Sequence, residues 1–402
     1  MVRLTIMLEE VGYNAYNTYD RNKTISSKPL GNRFDRSEWA GAFGDLGTLI
    51  PFIIGYISIM KLDPLGVLFM FGILLIGSGI IYKTPIPIQP MKAIGGAAIT
   101  QASAITPGMV WGSGIFTGLF WLILGLTGTL NYVSKIATKP VIRGIVLGLG
   151  LLFIMEGTKM MKTDFIVAVI ALIITFFLLT NKRIPAMFAL IIFGIIAALV
   201  RNPGLFNELA TIHPTFRFPE FSLGRLTWTD FIQGSLILAI PQIPLTLGNA
   251  VIAVTAENNR LFPDRPVTEK KIAISQGILN LISPLFGGIP MCHGAGGMAG
   301  HVRFGARTGG ALVILGVILV TVGLCFSSSV LLLFNIFPSS VLGVILFFAG
   351  LELAVSARDV GPDKSDFYTL LVTAGFSLWN MGIGFIAGLV MQEMLKRKIF
   401  KV

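Results

Sequence analysis

Apolar runs broken by short polar, proline or glycine interruptions dominate the chain. The stretches 170–179 and 190–200 are apolar almost without interruption, which is unlike the strict alternation of a membrane β-barrel strand. Reading the runs between breaks gives fourteen candidate spans. The first seven lie near 39–59, 63–82, 87–105, 108–130, 140–155, 164–180 and 184–200. A polar stretch over about 201–229, holding His213, Pro214 and Pro219, separates them from a second seven. These lie near 230–254, 271–287, 290–302, 308–326, 328–354, 365–378 and 379–394. A plain spanning helix needs about 20 apolar residues, so the shorter and Gly/Pro-rich windows are expected to be broken or half-length.

Two of those broken windows resemble each other. Pro90-Met91-Lys92-Ala93-Ile94-Gly95-Gly96 is matched 200 residues later by Pro290-Met291-Cys292-His293-Gly294-Ala295-Gly296-Gly297, with a one-residue slip at the glycines. The opening spans of the two halves are interrupted as well, at Gly44-Asp45-Leu46-Gly47-Thr48-Leu49-Ile50-Pro51 and at Pro241-Gln242-Ile243-Pro244-Leu245-Thr246-Leu247-Gly248-Asn249. A repeat of seven spans is odd, so its second copy enters the membrane inverted. Broken helices at corresponding places in inverted halves point to a transport site. An interrupted helix exposes unpaired N–H groups carrying partial positive charge, and hydrocarbon offers them no partner. Two such ends facing each other suit an anion.

Composition agrees with the pattern. Of 402 residues, 54% are hydrophobic and only 13% charged, about half the charged share of a soluble domain, and mean hydropathy is +0.80. These values exclude a soluble globular protein, a disordered chain and a nucleic-acid binder. The net charge of +11 is mostly topological. With both termini inside, 23 of the 31 Lys and Arg residues fall on the cytoplasmic side, including Lys135, Lys182, Arg183 and Lys401. The first 38 residues carry both charge signs without the order of a signal peptide and read as a cytoplasmic tail or short amphipathic lid. Cys292 and Cys325 imply no disulfide framework. No H-E-x-x-H, phosphate-loop or paired Cys-x-x-Cys motif supports a metalloprotease, a nucleotide hydrolase or a zinc site, and Cys292-His293 alone is no metal site.

So few polar residues sit within spans that each one is informative. Asp45 lies in span 1, Gln89 and Lys92 flank Pro90 in span 3, Gln242, Thr246 and Asn249 lie in span 8, and His293 opens span 10. Asp45 reads as a structural carboxylate that caps N–H groups or pairs with Lys92, or else as a proton-coupling or site residue. Lys92 opposes the dipole of the helix it begins and needs an anionic partner, either Asp45 or a substrate. His293 is a satisfied core histidine or a ligand and proton relay. Gly294, Gly296 and Gly297 allow close backbone approach, to a ligand or to a packed helix. Arg143, Glu156 and Glu352, near span ends, fit snorkelling or local ion pairs.

The motifs Phe43-Gly44-Asp45-Leu46-Gly47-Thr48, Pro85-Ile86-Pro87-Ile88-Gln89-Pro90-Met91-Lys92-Ala93-Ile94, Met291-Cys292-His293-Gly294-Ala295-Gly296-Gly297 and Arg303-Phe304-Gly305-Ala306-Arg307-Thr308-Gly309 together resemble the molybdate transporter family, related to the sulfate permeases, over roughly residues 37–395. The resemblance implies an all-α polytopic membrane protein of about 14 spans, built as a 7+7 inverted repeat with broken half-helices at spans 3 and 10. In that sulfate/nucleobase permease-like fold a core moves against a gate. The expected organisation is a cytoplasmic tail (1–38), core spans 1–4 (39–131), gate spans 5–7 (132–201), an extracytoplasmic linker (202–229), core spans 8–11 (230–327), gate spans 12–14 (328–395) and a basic cytoplasmic tail (396–402). The chain ends at Val402 without the C-terminal regulatory domain of sulfate permeases, as in the molybdate branch, so regulation by such a domain is not expected.

The function this implies is secondary active import of a tetrahedral oxyanion, molybdate first, across the cytoplasmic membrane by alternating access. The anion is expected between the starts of half-helices 3 and 10. Backbone N–H groups near Met91, Lys92 and Ala93 and near Gly294, Ala295 and Gly296 would bind it, with Gln89, Lys92, Gln242 and His293 adding side-chain donors. Asp45, Thr48, Thr246 and Asn249 would support or couple. The partners are the oxyanion and the lipid bilayer; proton or other ion coupling and a homodimer stay open, and neither a cofactor, a metal nor nucleic acid is expected. Sulfate and tungstate are alternatives of the same shape. A nucleobase permease would place carboxylates where Gln242 and His293 stand. An anion channel is separable only by measuring flux, and three histidines, one in a loop, make a membrane-embedded enzyme a poor fit.

Overall fold

The computed structural model describes residues 31–130, 138–178, 186–205 and 213–399. Residues 1–30 of the expected tail, and Lys135, Lys182, Arg183 and Lys401, lie outside the described residues. Helices and two very short strands follow one another: α1 (Arg36–Ala42), α2 (Leu46–Ile54, prolonged by a π turn over Gly55–Ile59), α3 (Pro64–Tyr82), β1 (Gln89–Pro90), α4 (Lys92–Thr100), α5 (Pro107–Thr127), α6 (Lys139–Met161), α7 (Phe165–Leu178) and α8 (Ala186–Arg201). The second half continues with α9 (Trp228–Leu261), α10 (Glu269–Ile282), β2 (Met291–Cys292), α11 (Ala295–Arg303), α12 (Gly310–Ile336), α13 (Ser339–Val355), α14 (Lys364–Trp379) and α15 (Met381–Lys396). Among the described residues, α3, α5, α6, α9, α12 and α13 are long and apolar enough to cross a membrane.

Local chemistry fixes where these helices start. Asp63 and Thr106 accept hydrogen bonds from Leu65 N (3.0 Å) and Met109 N (3.1 Å) and are each followed by a proline, whose missing N–H costs nothing in the first turn. Thr227 and Asp230 form a reciprocal capping box at the start of α9. The expected break in α9 around Pro241 and Pro244 does not occur. The helix runs through, with π turns over Gly234–Ala239 and Thr246–Ile252 on either side of the two prolines, whose missing N–H groups leave carbonyls one turn earlier without their usual donor. In span 1 the interruption is real: a turn over residues 43–45 separates α1 from α2.

The most extensive packing joins α3 to α12, α5 to α10 and α6 to α13. Backbones come close in these pairs. At the α6–α13 crossing, a Cβ on Gly157 would lie 2.5 Å from the carbonyl oxygen of Gly343, and one on Gly343 would lie 2.6 Å from that of Gly157. Apolar helices without a hydrophobic drive between them gain by this kind of approach. The polar residues near span ends are locally paired: Arg143 and Lys139 with Asp359 (2.7 and 3.2 Å), and Glu156 with Lys159 (3.2 Å). Past α8, the described part of the linker hydrogen-bonds along α12 through Thr215 N to Cys325 O and Arg217 N to Leu324 O, and Arg217 pairs with Asp63 at 2.8 Å.

Among the described residues the first helix starts at Arg36, inside the segment expected as tail, and Glu38 of α1 is fully buried. Its carboxylate accepts from the backbone N–H groups of Arg307 (3.0 Å), Thr308 (2.9 Å) and Ala311 (3.2 Å), capping α12 from another helix. The Arg307-Thr308-Gly309 motif is the partner of this carboxylate. Glu38→Ala strands those N–H groups in a buried setting and should destabilise the protein by about 2–4 kcal/mol, read as a lower unfolding temperature in detergent; an unchanged temperature would mean that the cap carries no stability.

Candidate functional site

Strands β1 and β2 pair antiparallel, Gln89 with Cys292 and Pro90 with Met291, and Met91 N donates to Pro290 O at 3.0 Å. Each strand of the ribbon leads straight into a nine-residue half-helix, α4 after β1 and α11 after β2. The ribbon therefore holds two helix N-termini side by side, and neither end has a side-chain cap from its own N-cap residue, Met91 or Gly294. The first N–H groups of any helix lack an intrahelical acceptor, so these ends present donors and partial positive charge.

Neighbouring helices satisfy part of this set. Gln242, buried in α9, accepts from Ala93 N through Oε1 (2.8 Å) and donates Nε2 to Thr246 Oγ1 (3.0 Å). On the other side, Gln276 and Asn280 of α10 grip β2. Asn280 accepts from Met291 N (2.9 Å) and donates to Met291 O (2.7 Å), Gln276 Nε2 also donates to Met291 O, and Gln276 Oε1 accepts from His293 N (3.2 Å). The sequence reading missed this pair. Its signal was there: two amides four residues apart, on one face of span 9.

Asp45 caps no N–H with its side chain at the start of α2, although it occupies the N-cap position. Both of its carboxylate oxygens accept from Gln89 Nε2, each at 2.8 Å. Asp45 and Lys92 form no ion pair, one of the alternatives held open for both; Lys92 is half-buried at the first position of α4. The Asp45–Gln89 pair lies directly against α11. A Cβ on Gly297 would fall 2.4 Å from Asp45 Oδ2 and 2.5 Å from Gln89 Nε2, and one on Gly294 only 1.7 Å from Gln89 Oε1. These two glycines are therefore required by packing. Gly296 differs: it is exposed, and no atom lies within 4 Å of its Cβ position.

His293 is fully buried with both ring nitrogens engaged, Nδ1 with Pro87 O and Nε2 with Ser275 Oγ, each at 2.9 Å, and Tyr82 meets the ring edge-on at 5.8 Å. Because a carbonyl only accepts, Nδ1 is the donor in the first of these bonds. Of the expected residues, the structure thus brings Gln89, Met91, Lys92, Ala93, Gln242, Asp45, Gly294, Ala295 and Gly296 to the two half-helix ends, with Thr48 facing Asp45 and Asn249 close to Gly294. It draws the His293 ring into the supporting contacts of the ribbon. Met91 N, Ala93 N and the side chains of Gln89 and Gln242 are already hydrogen-bonded within the protein.

A family model described as "Molybdate transporter of MFS superfamily" matches residues 37–153 and 234–353. The chain is 32% identical over 411 residues to molybdate transporter 2 of Arabidopsis thaliana, covering 90% of this chain and 87% of that protein. It is 30% identical over 400 residues to molybdate transporter 1 of the same plant, covering 88% and 86%. Among solved structures, the transmembrane domain of the cyanobacterial bicarbonate transporter BicA superimposes with a TM-score of 0.66 at 16% identity, covering 89% of this chain and 98% of that one. At that identity the likeness shows a shared helical membrane fold and nothing about substrate.

The packing at α11 gives a direct check. Gly297→Ala forces a methyl group into the Asp45–Gln89 pair and should lower the unfolding temperature in detergent by roughly 5 °C or more, the scale of an overpacked core site, whereas Gly296→Ala should leave it unchanged. Equal effects of the two substitutions would contradict the assignment.

Proposed function

The chain belongs to the molybdate transporter family, and from that premise we propose that it imports a tetrahedral oxyanion, molybdate first, as a secondary active transporter working by alternating access. The observation that carries this reading is the pair of half-helix N-termini held side by side by the β1–β2 ribbon. A dianion placed there meets backbone N–H donors from both halves of the chain. Since Met91 N and Ala93 N already have partners, the donors assigned to it are the amides of Lys92, Ala295 and Gly296, with the Lys92 ammonium beside them. Gln242, Gln276, Asn280 and His293 then act one step back, holding the two ends in register.

The packing supports the inverted repeat and the division into core and gate. Numbering the passes in chain order, exchange of each with the one seven places on turns the α3–α12 contact into the α10–α5 contact. It returns α6–α13 and β1–β2 to themselves. A pseudo-twofold arrangement requires this closure. Within the core set, α3 packs on α12, α5 on α9 and α10, and α1 on α12; within the gate set, α6 packs on α13 and α14, and α14 on α15. The boundary passes beside the site, where α4 meets α6 and α2 meets α13. A movement of core against gate along this boundary would carry the ribbon and its anion between the two membrane faces.

Lys92 is the test residue, because its charge has no ion-pair partner among the described residues. Lys92→Ala should lower saturable molybdate uptake into proteoliposomes at least about tenfold at sub-saturating substrate, equivalent to about 1.4 kcal/mol. Uptake at the wild-type level would remove Lys92 from the site. Competition by tungstate and sulfate in the same assay ranks the three dianions.

A further inference from the structure

One buried atom at the site has no partner: Gln89 Oε1, on a side chain only 1% exposed, makes no hydrogen bond. Orphaned buried acceptors are rare in folded interiors. Its orientation is imposed by Asp45. An ionised carboxylate accepts and cannot donate, so only the amide nitrogen of Gln89 can face it, and the carbonyl oxygen is turned toward Gly294, the N-cap of α11. Two negative features thus crowd the start of one half-helix: the Asp45 carboxylate against Gly297 and the Gln89 carbonyl oxygen against Gly294. Both oppose an incoming oxyanion at an end that otherwise attracts one.

Resting on the oxyanion reading above, we propose that Asp45 and Gln89 form a proton-linked switch of the binding site. With Asp45 ionised, the amide stands as observed and the site is set against an anion. When Asp45 takes one proton from solution, its carboxylic acid becomes a donor. The Gln89 amide then rotates about its terminal bond, Oε1 accepts that proton in a hydrogen bond, and the N–H group turns toward Gly294 and the half-helix end. One negative charge is neutralised and one acceptor is replaced by a donor where the anion binds. No covalent bond other than O–H forms, and the bound state holds one proton more than the empty one.

Asp45 is hydrogen-bonded by Gln89 on β1 and Thr48, and the titratable groups whose charge it feels are Lys92 on α4, Cys292 on β2 and His301 on α11, the last with Nδ1 donating to Gly41 O at 2.8 Å. Because the anion-bound state carries the extra proton, linkage requires affinity to fall as pH rises, by up to about tenfold per pH unit.

The experiment measures molybdate binding to the purified full-length protein by calorimetry at micromolar anion between about pH 6.5 and 8.5, together with proton uptake from a weakly buffered solution on mixing. The expected result for wild type is an affinity that weakens with pH and an uptake of close to one proton per anion. In Asp45→Asn, whose amide can donate permanently to Gln89 Oε1, affinity should lose its pH dependence and proton uptake should vanish. Wild-type binding without proton uptake overturns the switch and leaves the oxyanion reading standing. pH dependence that persists in D45N also overturns it, moving the titration to another group such as His301. Absence of molybdate binding in wild type at every pH defeats the oxyanion reading and the switch with it. The wild-type proton count decides the matter even if D45N does not fold.

Discussion

A helix start leaves backbone N–H groups without an intrahelical acceptor, and much of this structure is arranged around two such starts held against each other. The β1–β2 ribbon is what makes them tolerable. By pairing Gln89 with Cys292 and Pro90 with Met291, it supplies hydrogen bonds to extended backbone that would otherwise be orphaned and sets the two half-helix ends side by side. Strands this short have no stability of their own. They persist because Gln276 and Asn280 hold β2 from α10 while Gln242 holds the first turn of α4 from α9.

The same constraint explains the use of glycine and of buried polar residues. Gly294 and Gly297 are small because a carboxylate and an amide lie against them. The buried amides are consistent with this: each bonds backbone or another side chain of the site, apart from the one orphaned oxygen on Gln89. Glu38 applies the solution once more at the start of α12, as a buried carboxylate capping N–H groups at long range. Membrane proteins keep such groups only where they are satisfied or functional, which is why so few polar residues carry so much of the architecture.

Much of the fold was legible from the chain. Most apolar windows overlie observed helices, although the boundary expected at 327/328 falls inside α12, which runs on to Ile336; the two Pro-Met motifs 200 residues apart are the two strand-to-half-helix junctions that pair in space. The misreadings have specific physical causes. A proline-rich segment predicts a break, but α9 widened into π turns and continued, because neighbouring packing stabilises a helix that propensity alone would end. For Asp45 the sequence left capping, a pair with Lys92 and a coupling role open, yet a glutamine holds the carboxylate, and no spacing rule encodes which of two nearby donors wins. Gln276 and Asn280 were overlooked because an amide within an apolar run looks like noise until the strand it holds is placed beside it.

By itself the sequence determined the class, the succession of apolar passes, the two interrupted elements and the short roster of polar residues within them. These follow from local quantities: hydrophobicity over about 20 residues, and the missing N–H of proline. Only the tertiary structure decided which polar atoms were already satisfied and which remained available. It turned the ring of His293 to Pro87 and Ser275, engaged Gln242 with Ala93, and set Asp45 against Gly297 and the amide of Gln89. Those outcomes depend on distances of a few ångströms between segments up to some 250 residues apart in the chain, and hydrogen bonding falls off too steeply with distance and angle for such pairings to be read from a one-dimensional pattern.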